Sequence, residues 1–96
     1  MMLDVVSKGT HIQFLDAGFS DTGKTHIWDV ATIEDKEDLL GEIRFAAGWY
    51  CYAFFPSPKT QYEKTCLREI ADFCEEQTKK WRTSRFNSQQ TKSEKP

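Results

Sequence analysis

Residues 39–55 read Leu39-Leu40-Gly41-Glu42-Ile43-Arg44-Phe45-Ala46-Ala47-Gly48-Trp49-Tyr50-Cys51-Tyr52-Ala53-Phe54-Phe55, and this stretch decides the fold. Ile43 and Phe45 alternate with Glu42 and Arg44, the period-two pattern of a half-buried strand. Ala47-Gly48 then separates that run from Trp49–Phe55, which is rich in aromatic residues. Two such runs around a short turn predict an antiparallel hairpin. With a loop of Ala47 and Gly48 alone, Phe45 faces Tyr50, Ile43 faces Tyr52 and Gly41 faces Phe54. One sheet face then carries Ile43, Phe45, Tyr50, Tyr52 and Phe54, the expected core face. The other carries Glu42, Arg44, Cys51, Ala53 and Phe55.

Downstream, Pro56-Ser57-Pro58 ends the strand, because proline cannot donate to a ladder. Thr60-Gln61-Tyr62-Glu63 has the form of a capping box. From Gln61 onward Cys66, Leu67, Ile70, Ala71, Phe73, Cys74 and Trp81 recur at helical spacing. Lys79, Lys80 and Arg82 would suit a last turn near Arg82, where cations complement the dipole. Upstream, residues 11–15 and 24–31 are strand-like, and Asp16–Gly23 reads as a loop. Residues 32–38 read as an acidic connection, and residues 1–10 as a frayed start or short edge strand. The expectation is an α+β domain over residues 1–82. It has a three- to four-stranded antiparallel meander with one C-terminal amphipathic helix on one face. Residues 83–96 are polar and basic apart from Phe86, and are expected to be a disordered tail.

Ninety-six residues make one domain at most. Residues 1–78 hold fourteen acidic and seven basic side chains, a balance of −7, whereas residues 79–96 hold one and six, a balance of +5. An acidic body repels phosphate backbones and disfavours general nucleic-acid binding. There is no run of eighteen apolar residues and no charged start followed by an apolar stretch. The chain therefore reads as cytoplasmic, without a membrane partner. Cys51, Cys66 and Cys74 have no framework spacing and read as reduced thiols.

Little in the chain points to chemistry. No C-x-x-C and no helical His pair is present, and Cys66 and Cys74 lie about 80° apart around a helix. No metal and no cofactor is expected. His26 shares a strand with Asp29 but lies on the opposite face by parity, and His11 has Asp16 nearby but no placed nucleophile. No enzyme activity is expected. Gly18-Phe19-Ser20-Asp21-Thr22-Gly23-Lys24-Thr25 matches G-x-x-x-x-G-K-T letter by letter. The context opposes a phosphate loop, since Thr25 opens a strand-like run and not a helix. Thirteen aromatic residues are more than a small core hides. Trp28, Arg44, Trp49 and Phe55 are the candidate partner-binding set, placed on or near the sheet face that one helix leaves uncovered.

Three segments carry a resemblance. They are Leu40-Gly41-Glu42-Ile43-Arg44-Phe45, Trp49-x-x-Tyr52-x-Phe54-x-Pro56 and Cys66-Leu67-x-x-Ile70-Ala71-x-Phe73, with Trp28 and Val30 ahead of them. Over about residues 25–75 the chain resembles a family of short, uncharacterised bacteriophage and prophage proteins. Phe45 stands where that family usually has Trp. Ala47-Gly48 followed by Trp49-Tyr50 replaces its Gly-Pro followed by Trp-Arg. The resemblance implies a phage-encoded accessory protein of the bacterial cytoplasm. The expected function is non-enzymatic binding of a host or phage protein, with inhibition of a host defence system as one form. The alternative is a small single-stranded nucleic-acid-binding module that uses the aromatic face and the basic tail. A homodimer is a third use of the same surface.

Overall fold

The computed structural model describes residues 4–90, with side chains to 84. Among the described residues the β-branched and aromatic runs form five strands: β1 (Val5–Lys8), β2 (Ile12–Phe19), β3 (His26–Thr32), β4 (Asp35–Ala46) and β5 (Cys51–Pro56). They pair antiparallel in the order β1-β2-β3-β4-β5, an up-and-down meander. One helix, α1 (Lys64–Gln90), follows and packs on one face. The α+β meander with a single C-terminal helix is the architecture expected, with five strands in place of three or four. The extra strand comes from residues 1–10, where β1 pairs with β2 around a bulge between Val5 and Ser7.

The acidic segment 32–38 is not a connection. β4 starts at Asp35, and the turn is only Ile33 and Glu34, with Thr32 paired to Asp35. Asp35 Oδ1 accepts from the Glu37 amide at 2.9 Å, and register shifts beside Ala31 bend this part of the ladder. Acidic side chains fit there because they point into water.

The β4–β5 turn spans residues 47–50, two residues longer than expected, with Ala46 opposite Cys51. Phe45 therefore faces Tyr52, Ile43 faces Phe54 and Gly41 faces Pro56. A slip of two residues keeps every side chain on its own face. Ile43, Phe45, Tyr52 and Phe54 thus belong to the helix-covered side as expected, and Tyr50 moves into the turn. A Cβ on Gly41 would lie 2.5 Å from the Phe55 carbonyl oxygen and 2.8 Å from the Phe54 ring. Only glycine lets β5 come this close.

The helix begins at Lys64 and not at Gln61, and its cap differs from the box the sequence suggests. The Glu63 carboxylate accepts from the Cys66 amide at 2.8 Å, and the Glu63 carbonyl accepts from Leu67. That amide holds the Glu63 carboxyl below its ordinary range. Thr60 is occupied elsewhere: its hydroxyl donates to the Ser57 carbonyl and bonds the Tyr62 hydroxyl. At the other end the helix runs past Arg82 to Gln90, so Lys79, Lys80 and Arg82 are interior residues of α1. Residues 83–90 of the expected tail are helical. Residues 91–96 lie outside the described residues.

The core lies between sheet and helix. Ile12 and Phe14 of β2, Trp28 and Val30 of β3, Ile43 of β4 and Tyr52 of β5 meet Cys66, Ile70 and Phe73 of α1. Phe14 stacks on Phe73 at 4.1 Å, and Trp28 meets Phe73 edge-on at 5.1 Å. Each fully buried aliphatic side chain here, such as Val30 or Ile43, contributes about 1.5–3 kcal/mol. Thr78, buried on the same side, accepts from the Tyr52 amide at 2.9 Å and so ties β5 to the helix.

Candidate functional site

Paired residues in a sheet share a face, so the ladder gives the composition of both sides. Asp16, Trp28, Ile43 and Phe54 form one row across β2 to β5, under the helix. Leu15, Asp29, Glu42 and Phe55 form the adjacent row on the opposite side. That opposite side is closed at one end, where Gln13, Leu15 and Ala31 are buried. It opens over β4 and β5, where Arg44 and Phe55 are exposed.

The candidate set therefore divides. Trp28 is a correction: it is 7% exposed and lies in the core. Its parity with Ile43 through the β3–β4 register puts it beneath α1. The β3–β4 pairing that decides this depends on a turn hidden in the acidic segment. Arg44 and Phe55 are on the uncovered face, as their alternation implies. Trp49 is at the hairpin tip and is 81% exposed. The tip is built by backbone geometry: Tyr50 has φ of 58°, a region that costs a non-glycine residue about 1–3 kcal/mol. The Tyr50 ring rests against Trp81 at 5.4 Å, and Arg82 Nη2 donates to the Tyr50 carbonyl at 3.3 Å. The long helix thus braces Tyr50, which stays half exposed, while its neighbour Trp49 has its ring almost wholly in water.

On the uncovered face Asp29 and Glu42 stand directly opposite each other. Burial pushes the Asp29 carboxyl above its ordinary value, and the Glu42 charge adds to this. Like charges opposed across strands destabilise a sheet. Arg44 Nη1 lies 3.1 Å from Glu42 Oε1 and offsets the Glu42 charge in part. The result is a short polar strip, Asp29-Glu42-Arg44, beside the exposed Phe55 ring. Sequence reasoning selected Arg44 and Phe55 but missed the carboxylates beside them. The alternation of Glu42 with Ile43 carried half of that signal; the pairing partner Asp29 required the β3–β4 register.

A second polar pair was also missed. His26 Nε2 lies 2.6 Å from Asp16 Oδ1, which also accepts from the Gly18 amide at 2.9 Å. The Gly18 amide first, and the His26 bond second, hold the Asp16 carboxyl below its ordinary value. The imidazole stacks on Trp28 at 4.6 Å, and Phe19 covers it at 4.6 Å. Parity along one strand had related His26 only to Asp29, whereas the β2–β3 bulge brings Asp16 to it. The ring bonds Asp16, and the Tyr52 hydroxyl accepts from the His26 amide at 3.1 Å. The arrangement fastens a hairpin end. The phosphate-loop match lies in that same hairpin. Ser20 and Thr25 close the loop through the Ser20 amide and the Thr25 carbonyl at 2.8 Å, and Thr25 leads into β3.

Among the described residues no three His, Cys, Asp or Glu side chains cluster to hold a metal ion. Among them, too, no helix is long and apolar enough to cross a membrane. All three cysteines are free. Burial, with Cys51 nearby, pushes the Cys74 thiol up to about 11, so it stays protonated at neutral pH. Comparison with protein families, with curated proteins and with solved structures gives no match to this chain.

Proposed function

We propose that the protein is a non-enzymatic binding module whose uncovered β4–β5 face and Trp49 tip engage another protein. One observation carries this reading: two opposed carboxylates, Asp29 and Glu42, sit beside the exposed Phe55 ring on the side away from the helix. A partner side chain that is cationic relieves the repulsion, and an apolar neighbour covers Phe55. An exposed ring can anchor an interface, and complementary charges beside it steer encounter and fix register. The phage-like motif string supports an accessory protein of phage or prophage origin acting in the bacterial cytoplasm. A basic partner surface fits a host nucleic-acid-handling defence protein, whose inhibition is the concrete form of the proposal.

Single-stranded nucleic acid is the second reading, and it has less support. Stacking needs exposed rings, and Trp28 is in the core. Asp29 and Glu42 would face the phosphates. A homodimer through the same face is the competing occupant.

Capture from bacterial lysate with immobilised protein tests the proposal. The native chain should retain a stoichiometric protein partner at low and moderate salt, and the Phe55→Glu variant should not. Absence of any stoichiometric partner, equal retention by both, or a dimer in sedimentation that buries Phe55 overturns it.

A further inference from the structure

The helix does not seal against the edge of the sheet. Between β5 and α1 lies an open groove of about 650 Å³. Ala53, Phe54, Leu67, Ile70, Ala71 and Cys74 make it apolar, and Glu75, Thr78, Lys79 and Arg82 stand around it. A site of this size with an apolar floor and few polar groups has the form of a ligand cleft.

The backbone of β5 says what kind of ligand. Alternate amides of an antiparallel edge strand point away from the ladder. The Ser57 amide donates inward to Leu40, and the Tyr52 amide donates outward to Thr78. Residues 53 and 55 therefore face β4, and residues 52, 54 and 56 face out. Thr78 satisfies the Tyr52 amide, and Pro56 has none. The Phe54 amide, between them, is directed at the groove, where a peptide carbonyl would meet it. An aliphatic chain offers it no acceptor.

The charges give a direction. Lys79 and Arg82 have no carboxylate partner among the described residues, Arg82 donating only to the neutral Tyr50 carbonyl, whereas Lys80 pairs with Glu76 at 3.4 Å. Arg82 reaches the Tyr50 carbonyl and Thr78 meets the Tyr52 amide, so this end of the helix lies by the start of β5, and Glu75 stands one turn before Lys79. The thiol of Cys74, protonated at neutral pH, adds no charge between them.

We propose that this groove is a second binding site, separate from the uncovered face, for an extended peptide segment of a partner. An apolar side chain of the peptide sits on Ala71, Leu67 and Ile70. A backbone carbonyl accepts from the Phe54 amide, and an acidic residue follows toward Lys79 and Arg82. One hydrogen-bonding position makes this a short anchor and not an added strand.

The test uses the full chain, labelled with nitrogen-15, and three probes. The first is an acetylated, amidated peptide of Val-Leu-Val followed by Glu-Glu; the second ends in Lys-Lys; the third is decanoate. The Glu-ended peptide should bind saturably, shift the Phe54 amide and bind at least about tenfold more tightly than its Lys-ended twin. Ala71→Trp, an exposed position that fills the groove, should remove binding. Lys79→Glu with Arg82→Glu should invert the preference between the two peptides. Phe55→Glu, on the opposite face, should leave peptide binding unchanged, so failure here is distinct from failure of the function proposed above. No saturable peptide binding, equal binding of both peptides, an unmoved Phe54 amide, or binding of decanoate alone overturns the proposal.

Discussion

Trp28 and Trp49 are the same side chain in opposite circumstances. Trp28 touches His26, Tyr52 and Phe73 and is 7% exposed; Trp49 is 81% exposed. Trp28→Ala should destabilise the fold by about 3–5 kcal/mol in denaturant unfolding, and Trp49→Ala by under about 0.5 kcal/mol. Equal effects would contradict the assignment of faces. Asp29 gives a pH prediction. Its folded carboxyl titrates above its ordinary value of 3.8, so the folded state holds the proton more tightly than the unfolded one. Stability from this group is lost as pH rises from 3.8 through the raised folded value. Asp29→Asn should therefore raise the thermal midpoint at pH 7 and give little change at pH 3. Asp16 acts with the opposite sign. Its carboxyl is depressed, so its contribution is present above the ordinary value and fades as pH falls through the folded one.

At the scale of elements, the join of β5 to α1 is the feature most open to a single change. Thr78 is a hydroxyl in an otherwise apolar helix face, and it serves the Tyr52 amide of the neighbouring strand. Thr78→Val keeps the volume and leaves that amide without a partner. The expected loss is about 1–3 kcal/mol by denaturant unfolding, with no change in helix content. Alternation in residues 42–45 and the period of residues 66–81 made the hairpin and the helix legible in the sequence, with Ile43 and Phe45 marking the better core candidate of the two sheet faces. The turn of residues 47–50 was not, because it uses a left-handed Tyr50 that Trp81 and Arg82 hold in place from far along the chain. The helix start was missed because Thr60, a good cap by type, is drawn to Ser57 and Tyr62, leaving Glu63 to cap. Lys79, Lys80 and Arg82 look like a helix terminus when dipole complementarity is the only guide, yet they are interior residues of α1. The exposure of Arg44, Trp49 and Phe55 follows from local pattern. Asp29 and the burial of Trp28 depend on a pairing between strands that no local pattern encodes.

At the scale of the molecule, a meander covered by a single helix has two unlike faces. Under the helix lie Phe14, Trp28, Val30, Ile43 and Tyr52, the residues that hold the chain together. Away from it lie Asp29, Glu42, Arg44 and Phe55, where charge repulsion is maintained next to an exposed ring. Folding alone gains nothing from opposing two carboxylates, and a cationic partner removes the penalty. The affinity of the lysate-captured partner for the native chain and for an Asp29→Asn, Glu42→Gln variant, measured across a salt series, tests this most directly. The account predicts that the variant binds at least about tenfold more weakly at low salt, with a flatter salt dependence. Unchanged affinity and an unchanged salt slope would contradict it.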